Sequence, residues 1–210
     1  MRIAIALFEQ VTALDAVGPY EVLQRLPHAE VCFTGHRKGE IRTDNGFLGL
    51  TVDYSFDEVP DPEVLLVPGG FGTRALVDDE VMLNWIRTAH ETSQFTTSVC
   101  TGSLLLAAAG LLDGLRATTH FSTRQLLAKY GATPSDERVV QEGKIITAAG
   151  VSSGIDMALH LAERIAGATT AKALQLGIEY DPQPPHDAGA LHKVDASVLM
   201  RLQELAQDKK

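Results

Sequence analysis

Phe95-Thr96-Thr97-Ser98-Val99-Cys100-Thr101-Gly102-Ser103, running on through Leu104 to Gly110, decides the fold. The β-branched and aromatic residues before Cys100 read as a strand, and the leucine and alanine run from Leu104 to Ala109 reads as a buried helix. Cys100 falls on the turn between them. A side chain on a sharp strand-to-helix turn projects over the end of a sheet. Thr101, Gly102 and Ser103 are small enough to let the backbone turn and to leave amides exposed at the helix N-terminus. Those amides and the helix dipole favour negative charge, so the sequence predicts a lowered thiol pKa, a resident thiolate and a nucleophile. The alternative for the same residue is a small buried core cysteine.

The 210 residues suit one domain, residues 1–210, with enough chain to bury a full core. Hydrophobic residues make up 45% and mean hydropathy is +0.02, yet no apolar run is long enough to span a bilayer, so no membrane is expected as a partner. The opening Met1-Arg2-Ile3-Ala4-Ile5-Ala6-Leu7-Phe8 has one positive residue and stops at Glu9-Gln10 without a small-residue cleavage site. It reads as a first strand rather than a signal peptide. Two cysteines, Cys32 and Cys100, argue for reduced thiols in a cytoplasmic protein. A net charge of -9 argues against nucleic acid, whose phosphates need a basic face.

Outward from Cys100, short apolar strands alternate with helical spacings. Arg2 to Phe8 reads as a strand buried on both faces. Thr12 to Pro19 reads as a loop before a helix over Tyr20 to Leu26, which puts Asp15 beyond the C-terminal end of the first strand, where open α/β sheets hold their sites. An aspartate there is as readily a helix N-cap as a catalytic group. Ala29 to Thr34 is a second strand with Cys32 as core filler, and Ile41 to Asp53 reads as a hairpin turning at Asp44-Asn45-Gly46. Glu63 to Val67 is another buried strand, followed by Pro68-Gly69-Gly70-Phe71-Gly72, whose backbone can aim N–H groups into a cavity. Glu80 to His90 is an amphipathic helix.

Beyond the elbow, Arg116 to Phe121 is expected as a strand carrying His120 toward the thiol, although a lone histidine is commonly structural. Arg138 to Gln141 and Lys144 to Thr147 form a late strand pair. Gly150-Val151-Ser152-Ser153-Gly154 is then a second small-residue junction with room for a ligand, opening a helix over Ile155 to Ala166. Ala168 to Tyr180 is helical. Val194 to Gln207 is an amphipathic helix that packs on the outside or on a partner. No metal-ligand spacing, Walker motif or dinucleotide fingerprint is present, so neither metal nor cofactor is expected.

Several motifs together give the chain a likeness. Leu14-Asp15 with Gly18-Pro19, Val67-Pro68-Gly69-Gly70, Ser98 to Ser103, Ala109 to Gly114, Ala117-Thr118-Thr119-His120 and Gly150 to Asp156 resemble the ThiJ/PfpI superfamily in its isonitrile hydratase-like branch. The amidase-like domain of AraC-type regulators shares these signatures. The resemblance implies a flavodoxin-like, class I glutaminase-like α/β sandwich: a mostly parallel central sheet with helices on both faces. The protease-like branch has His after the nucleophilic Cys, where this chain has Thr101. The deglycase and glyoxalase-type branches have Glu where this chain has Asp15.

On this resemblance Cys100 attacks a small isonitrile, Asp15 serves as general acid and base, and Thr101 bonds the Asp15–Cys100 pair. Gly69, Gly70, Phe71, Thr119, His120, Gly150 and Val151 surround the substrate, with Phe71, Phe121 and Val151 making a small, largely apolar pocket. Water is the co-substrate, no cofactor is required, and a homodimer is expected. Two other readings use the same residues: a stand-alone ligand-binding or regulatory module acting through a partner, and an oxidation sensor built on Cys100.

Overall fold

The computed structural model describes residues 1–207; Asp208, Lys209 and Lys210, with which the expected single domain ends, lie outside the described residues. The chain divides into two compact units, Met1–Glu179 and Tyr180–Lys210. In the first unit β1 (Arg2–Ala6), α1 (Ala13–Leu23) and β2 (Glu30–Gly35) lead into a hairpin of β3 (Gly39–Arg42) and β4 (Gly49–Val52). Then come β5 (Tyr54–Ser55), β6 (Val64–Val67), α2 (Thr73–Leu76), α3 (Glu80–Thr92), β7 (Phe95–Val99) and α4 (Gly102–Ala108). The last part holds β8 (Arg116–Ala117), β9 (Thr133–Pro134), β10 (Val139–Glu142), β11 (Ile145–Ala148), α5 (Ser153–Ala166) and α6 (Ala168–Gly177). The second unit holds α7 (Ala196–Gln207), capped where Asp195 Oδ1 accepts the Ser197 and Val198 amides.

The central sheet runs β10-β11-β7-β6-β1-β2-β5, and every pair in it is parallel except β10 with β11. Its core strands β1, β2, β6, β7 and β11, numbered in chain order, lie in the order 2-1-3-4-5, the flavodoxin-like arrangement. Ile3 to Ala6 and Val64 to Val67 are wholly buried, as continuous apolar runs in a parallel sheet covered on both faces must be. Strand β7 is central yet polar. Thr97 Oγ1 donates to the Leu65 carbonyl (3.0 Å), and Thr96 Oγ1 bonds His90 Nδ1 (2.8 Å), so its two threonine hydroxyls are satisfied inside the core.

Helix α3 buries Met82, Leu83, Trp85, Ile86 and Ala89 along one stripe and is capped by Asp79, whose side chain accepts the Met82 amide. Helix α5 buries Gly154, Met157, Ala158, Leu161 and Ala162 in the same way and packs against α1.

Two sequence expectations change. Helix α1 starts at Ala13, so Asp15 sits in its first turn, and Thr12 is an N-cap whose hydroxyl donates to Asp44 Oδ2 (3.0 Å) and makes no capping bond. Gly18 and Pro19 lie inside that helix because α5 crosses there: a Cβ on Gly18 would stand 3.1 Å from Ile155, and one on Gly154 would stand 3.1 Å from Pro19. The stretch expected as a strand from Arg116 to Phe121 pairs only through Arg116 and Ala117, with β9, in a separate two-stranded sheet. Thr118 then bonds through its amide to the Thr147 hydroxyl (3.0 Å), and Phe121–Tyr130 winds into a 3₁₀ helix.

Helix α4 begins hard against the end of β6. A Cβ on Gly102 would lie 2.0 Å from the Val67 carbonyl oxygen and 2.8 Å from that of Pro68. Gly102→Ala is therefore expected to cost about 1–3 kcal/mol of stability, seen as a lower urea midpoint. An unchanged midpoint would mean that α4 can back away from the strand end.

Candidate active site

Cys100 follows β7 with φ +55°, a left-handed conformation that a non-glycine residue adopts only when its surroundings impose it. Those surroundings are hydrogen bonds. Its N–H donates to the Ala148 and Ala149 carbonyls at the end of β11 (3.1 and 2.9 Å), and its carbonyl accepts the Thr119 and Ser103 hydroxyls (2.8 and 3.2 Å). The peptide on each side of the thiol is thus pinned.

Asp15 comes up to the same point from the first turn of α1. It is wholly buried, and its Oδ2 accepts the Gly69 amide at 3.0 Å. Oδ1 is buried without a nitrogen or oxygen partner; the polar group that the carboxyl meets is the Cys100 thiol. Gly69 has to be glycine here, since a Cβ would stand 2.5 Å from the Thr101 nitrogen and 2.9 Å from Asp15 Oδ2.

The ionisation of this pair corrects the expected thiolate. Burial first, and then the charge of Asp15, push the Cys100 thiol up to about 12, against the pull of amide hydrogen bonds from Val151 and Thr101. Burial likewise raises Asp15 to about 7, opposed by its bonds to Gly69 and Cys100 and reinforced by Asp44. The helix-start amides are present at the sulfur, but desolvation outweighs them. The resting sulfur is a thiol, with a carboxyl beside it whose proton affinity lies near neutrality.

A cavity of about 180 Å³ opens over the sulfur. Cys100, Thr101, Gly70, Phe71, His120 and Val151 line it, together with Thr12, Arg74, Ser122 and Thr123, which the sequence did not point to. Asp15 and Gly69 lie behind the sulfur, not in the wall. Thr119 is buried and holds the Cys100 carbonyl, and Gly150 backs His120, where a Cβ would meet His120 Cδ2 at 2.8 Å. Phe71 is 59% exposed and sits at the rim, and Phe121 does not line the cavity.

The expected hydroxyl bond from Thr101 to the Asp15–Cys100 pair is not made. Thr101 Oγ1 accepts the Gly70 amide (3.0 Å) and lies 3.1 Å from Thr73 Oγ1, which ties the glycine turn to the start of α4. The Gly70 amide is therefore engaged, and the amides of Thr101 and Val151 are the ones aimed at the sulfur. Val151 holds its position at φ +36°, an outlier for a β-branched residue. His120 Nδ1 accepts the Ser122 amide (3.3 Å), which leaves the ring proton on Nε2, and burial with the charges of Arg124 and Arg74 lowers its pKa. Among the described residues no three His, Cys, Asp or Glu side chains gather as a metal site.

A carboxyl and a thiol thus meet behind the glycine turn of β6, beneath a strand-to-helix elbow. The DJ-1/PfpI family profile matches residues 1–164. The chain belongs to that family. It is 42% identical to the isonitrile hydratase of Pseudomonas putida over 95% of this chain and 87% of that protein. It is 27% identical to a deglycase of Pyrococcus abyssi over 70% of this chain and 89% of that one. A crystal structure of a ThiJ/PfpI family protein from Pseudomonas syringae superposes with a TM-score of 0.93 at 36% identity, covering 99% of this chain and 86% of that one.

The buried carboxyl of this DJ-1/PfpI chain has a cost with a definite sign. Its folded pKa of about 7 lies above the ordinary 3.8, so between those values the folded state keeps a proton that the unfolded state has lost, and stability falls as pH rises. Three units correspond to about 4 kcal/mol. Asp15→Asn cannot lose that proton. Its stability advantage over wild type is expected to be small near pH 4 and to grow to a few kcal/mol by about pH 8 in urea titrations. An advantage that does not change with pH would mean that Asp15 does not titrate in this range.

Proposed function

We propose that the protein hydrates a small isonitrile to an N-substituted formamide, with Cys100 as nucleophile and Asp15 as the proton carrier. The observation that carries this reading is the wholly buried Asp15 carboxyl against the Cys100 thiol at the floor of the cavity. The likeness to the Pseudomonas putida isonitrile hydratase supports it across nearly the whole chain.

The chemistry follows from the two proton affinities. A thiol held near 12 does not ionise unaided at neutral pH, so Asp15 as carboxylate takes its proton while sulfur bonds to the terminal isonitrile carbon. The carboxylic acid so formed gives that proton to the same carbon, leaving a thioimidate. Asp15, again ionised, removes a proton from a water that adds to the thioimidate carbon and passes it to nitrogen. Collapse expels the sulfur, which recovers the remaining hydroxyl proton, and R–NH–CHO leaves. Water and isonitrile are the only species consumed. The Thr101 and Val151 amides stabilise the sulfur's negative charge as it leaves, which is where preorganised donors act most strongly.

Cys100→Ala is expected to abolish formamide formation, and Asp15→Asn to reduce it by about 10²–10⁴-fold, measured by proton NMR on a panel of alkyl isonitriles. Wild-type protein that converts none of the panel overturns the reading. In the wild type kcat/KM is expected to rise tenfold per pH unit in acid and level off above about 7, where Asp15 becomes the carboxylate. A pH-independent rate would remove Asp15 as the base.

A further inference from the structure

The isonitrile group carries no net charge, yet the cavity wall carries a full one. Arg74 lines it, and no acidic side chain does. In a chain with 27 acidic and 18 basic residues, arginines usually find a carboxylate, as Arg2, Arg25, Arg42, Arg87, Arg116, Arg138 and Arg201 do. Arg74 has none. Its guanidinium instead lies over the Phe71 ring, 4.7 Å from the centroid, a seat that holds the plane in place and leaves its N–H edge free to donate. Arg37 and Arg164 also lack an ion pair among the described residues, but neither lines this cavity.

A second guanidinium points the same way. Arg124 Nε is buried without a hydrogen-bond partner, an expensive state for a charged donor unless an acceptor arrives. Both cations act on one group, His120, whose imidazole is part of the wall. Ser122 and Thr123 also line the cavity, but their hydroxyls are bonded to His120 Nδ1 and to the His120 carbonyl, so the positive charge on this side is that of the guanidiniums.

We propose that the cavity is built for isonitriles bearing a carboxylate, with Arg74 as the group that binds the carboxylate and Arg124 as the second charge that draws it in. The proposal rests on the hydratase reading and names its substrate class. A planar guanidinium suits a planar carboxylate because two parallel N–H···O bonds form at once. The anion also lies away from the reacting carbon, so it contributes binding and orientation rather than chemistry.

The test compares isocyanoacetate and 3-isocyanopropanoate with their methyl esters, which keep the isonitrile and remove the charge. Wild type is expected to favour the acids by about 10- to 100-fold in kcat/KM, mostly through KM, with the preference shrinking as salt is raised. Arg74→Met should bring the acid-to-ester ratio to within about threefold, and Arg74→Lys should restore part of it. Arg124→Met should lower the ratio by a smaller factor. Equal rates on acid and ester in wild type, or a ratio that Arg74→Met leaves unchanged, overturn the proposal while the hydratase reading stands. Failure of the hydratase reading looks different: no isonitrile is consumed. In that case calorimetry of N-formylglycine and its amide with Cys100→Ala still decides, since Arg74-dependent preference for the acid upholds the carboxylate site and equal binding overturns it.

Discussion

One proton, held between a buried carboxyl and a buried thiol, is what the rest of the structure is shaped around. Neither Asp15 nor Cys100 ionises at its ordinary pH, because both sit where water does not solvate a charge. Together they hold one proton fewer than two neutral groups as pH passes neutrality, and that single negative charge must be supported by the backbone. The Gly69 amide supports it at the carboxyl, and the Thr101 and Val151 amides support it at the sulfur. Each of these amides comes from a place where the chain is forced. Gly69 has no room for a side chain, Cys100 is left-handed, and Val151 takes a positive φ that its branched Cβ disfavours. Strain of this kind, on the order of 1–3 kcal/mol per residue, persists where surrounding bonds over-determine it.

The sheet order explains how those parts meet. In a 2-1-3-4-5 sheet, β1 and β6 are neighbours whose onward connections diverge, and a crevice forms at their C-terminal ends. Asp15 follows β1, Gly69 follows β6, Cys100 follows β7 and Val151 follows β11, so four adjacent parallel strands each deliver one component to the same rim. The polar character of β7 belongs to the same logic. Its threonine hydroxyls are anchored to neighbouring carbonyl and imidazole groups, which fixes the strand's end without relying on apolar packing alone.

The features readable in the chain were those written in local periodicity and turn chemistry. The alternation of apolar runs with helical stripes, the elbow at Cys100, the Asn-Gly hairpin and the small-residue junction at Gly150 all have signatures within a dozen residues, and the structure contains each. Gly18-Pro19 misled because both residues break helices by propensity, whereas here they form the flat spot on which α5 crosses. The β-branched run at Thr118 and Thr119 reads as strand, but the Thr118 amide goes to the Thr147 hydroxyl and the Thr119 hydroxyl to the Cys100 carbonyl instead of a ladder. The thiol's ionisation is not legible in the sequence, because a helix start can be recognised there and burial depth cannot. Arg74 and Arg124 carry no pattern; only the fold brings both charges to bear on His120.

The charges around the cavity then divide the work. Burial first, and then positive charge from Arg124 and Arg74, lower the His120 pKa, and its Nδ1 is taken by Ser122, so the imidazole carries its N–H on Nε2. Asp15 is left as the group at the sulfur whose proton affinity matches neutral solution. The proposed hydration, which moves one proton from sulfur to carbon and another from water to nitrogen, needs a carrier that returns to the same state after each transfer. A second acid of similar strength beside it would hold the proton in the wrong place for part of the time. In the proposed hydration, disfavouring the protonated histidine and burying the carboxyl leave Asp15 as the single carrier, and the strained turns at Cys100 and Val151 hold it in register with the sulfur.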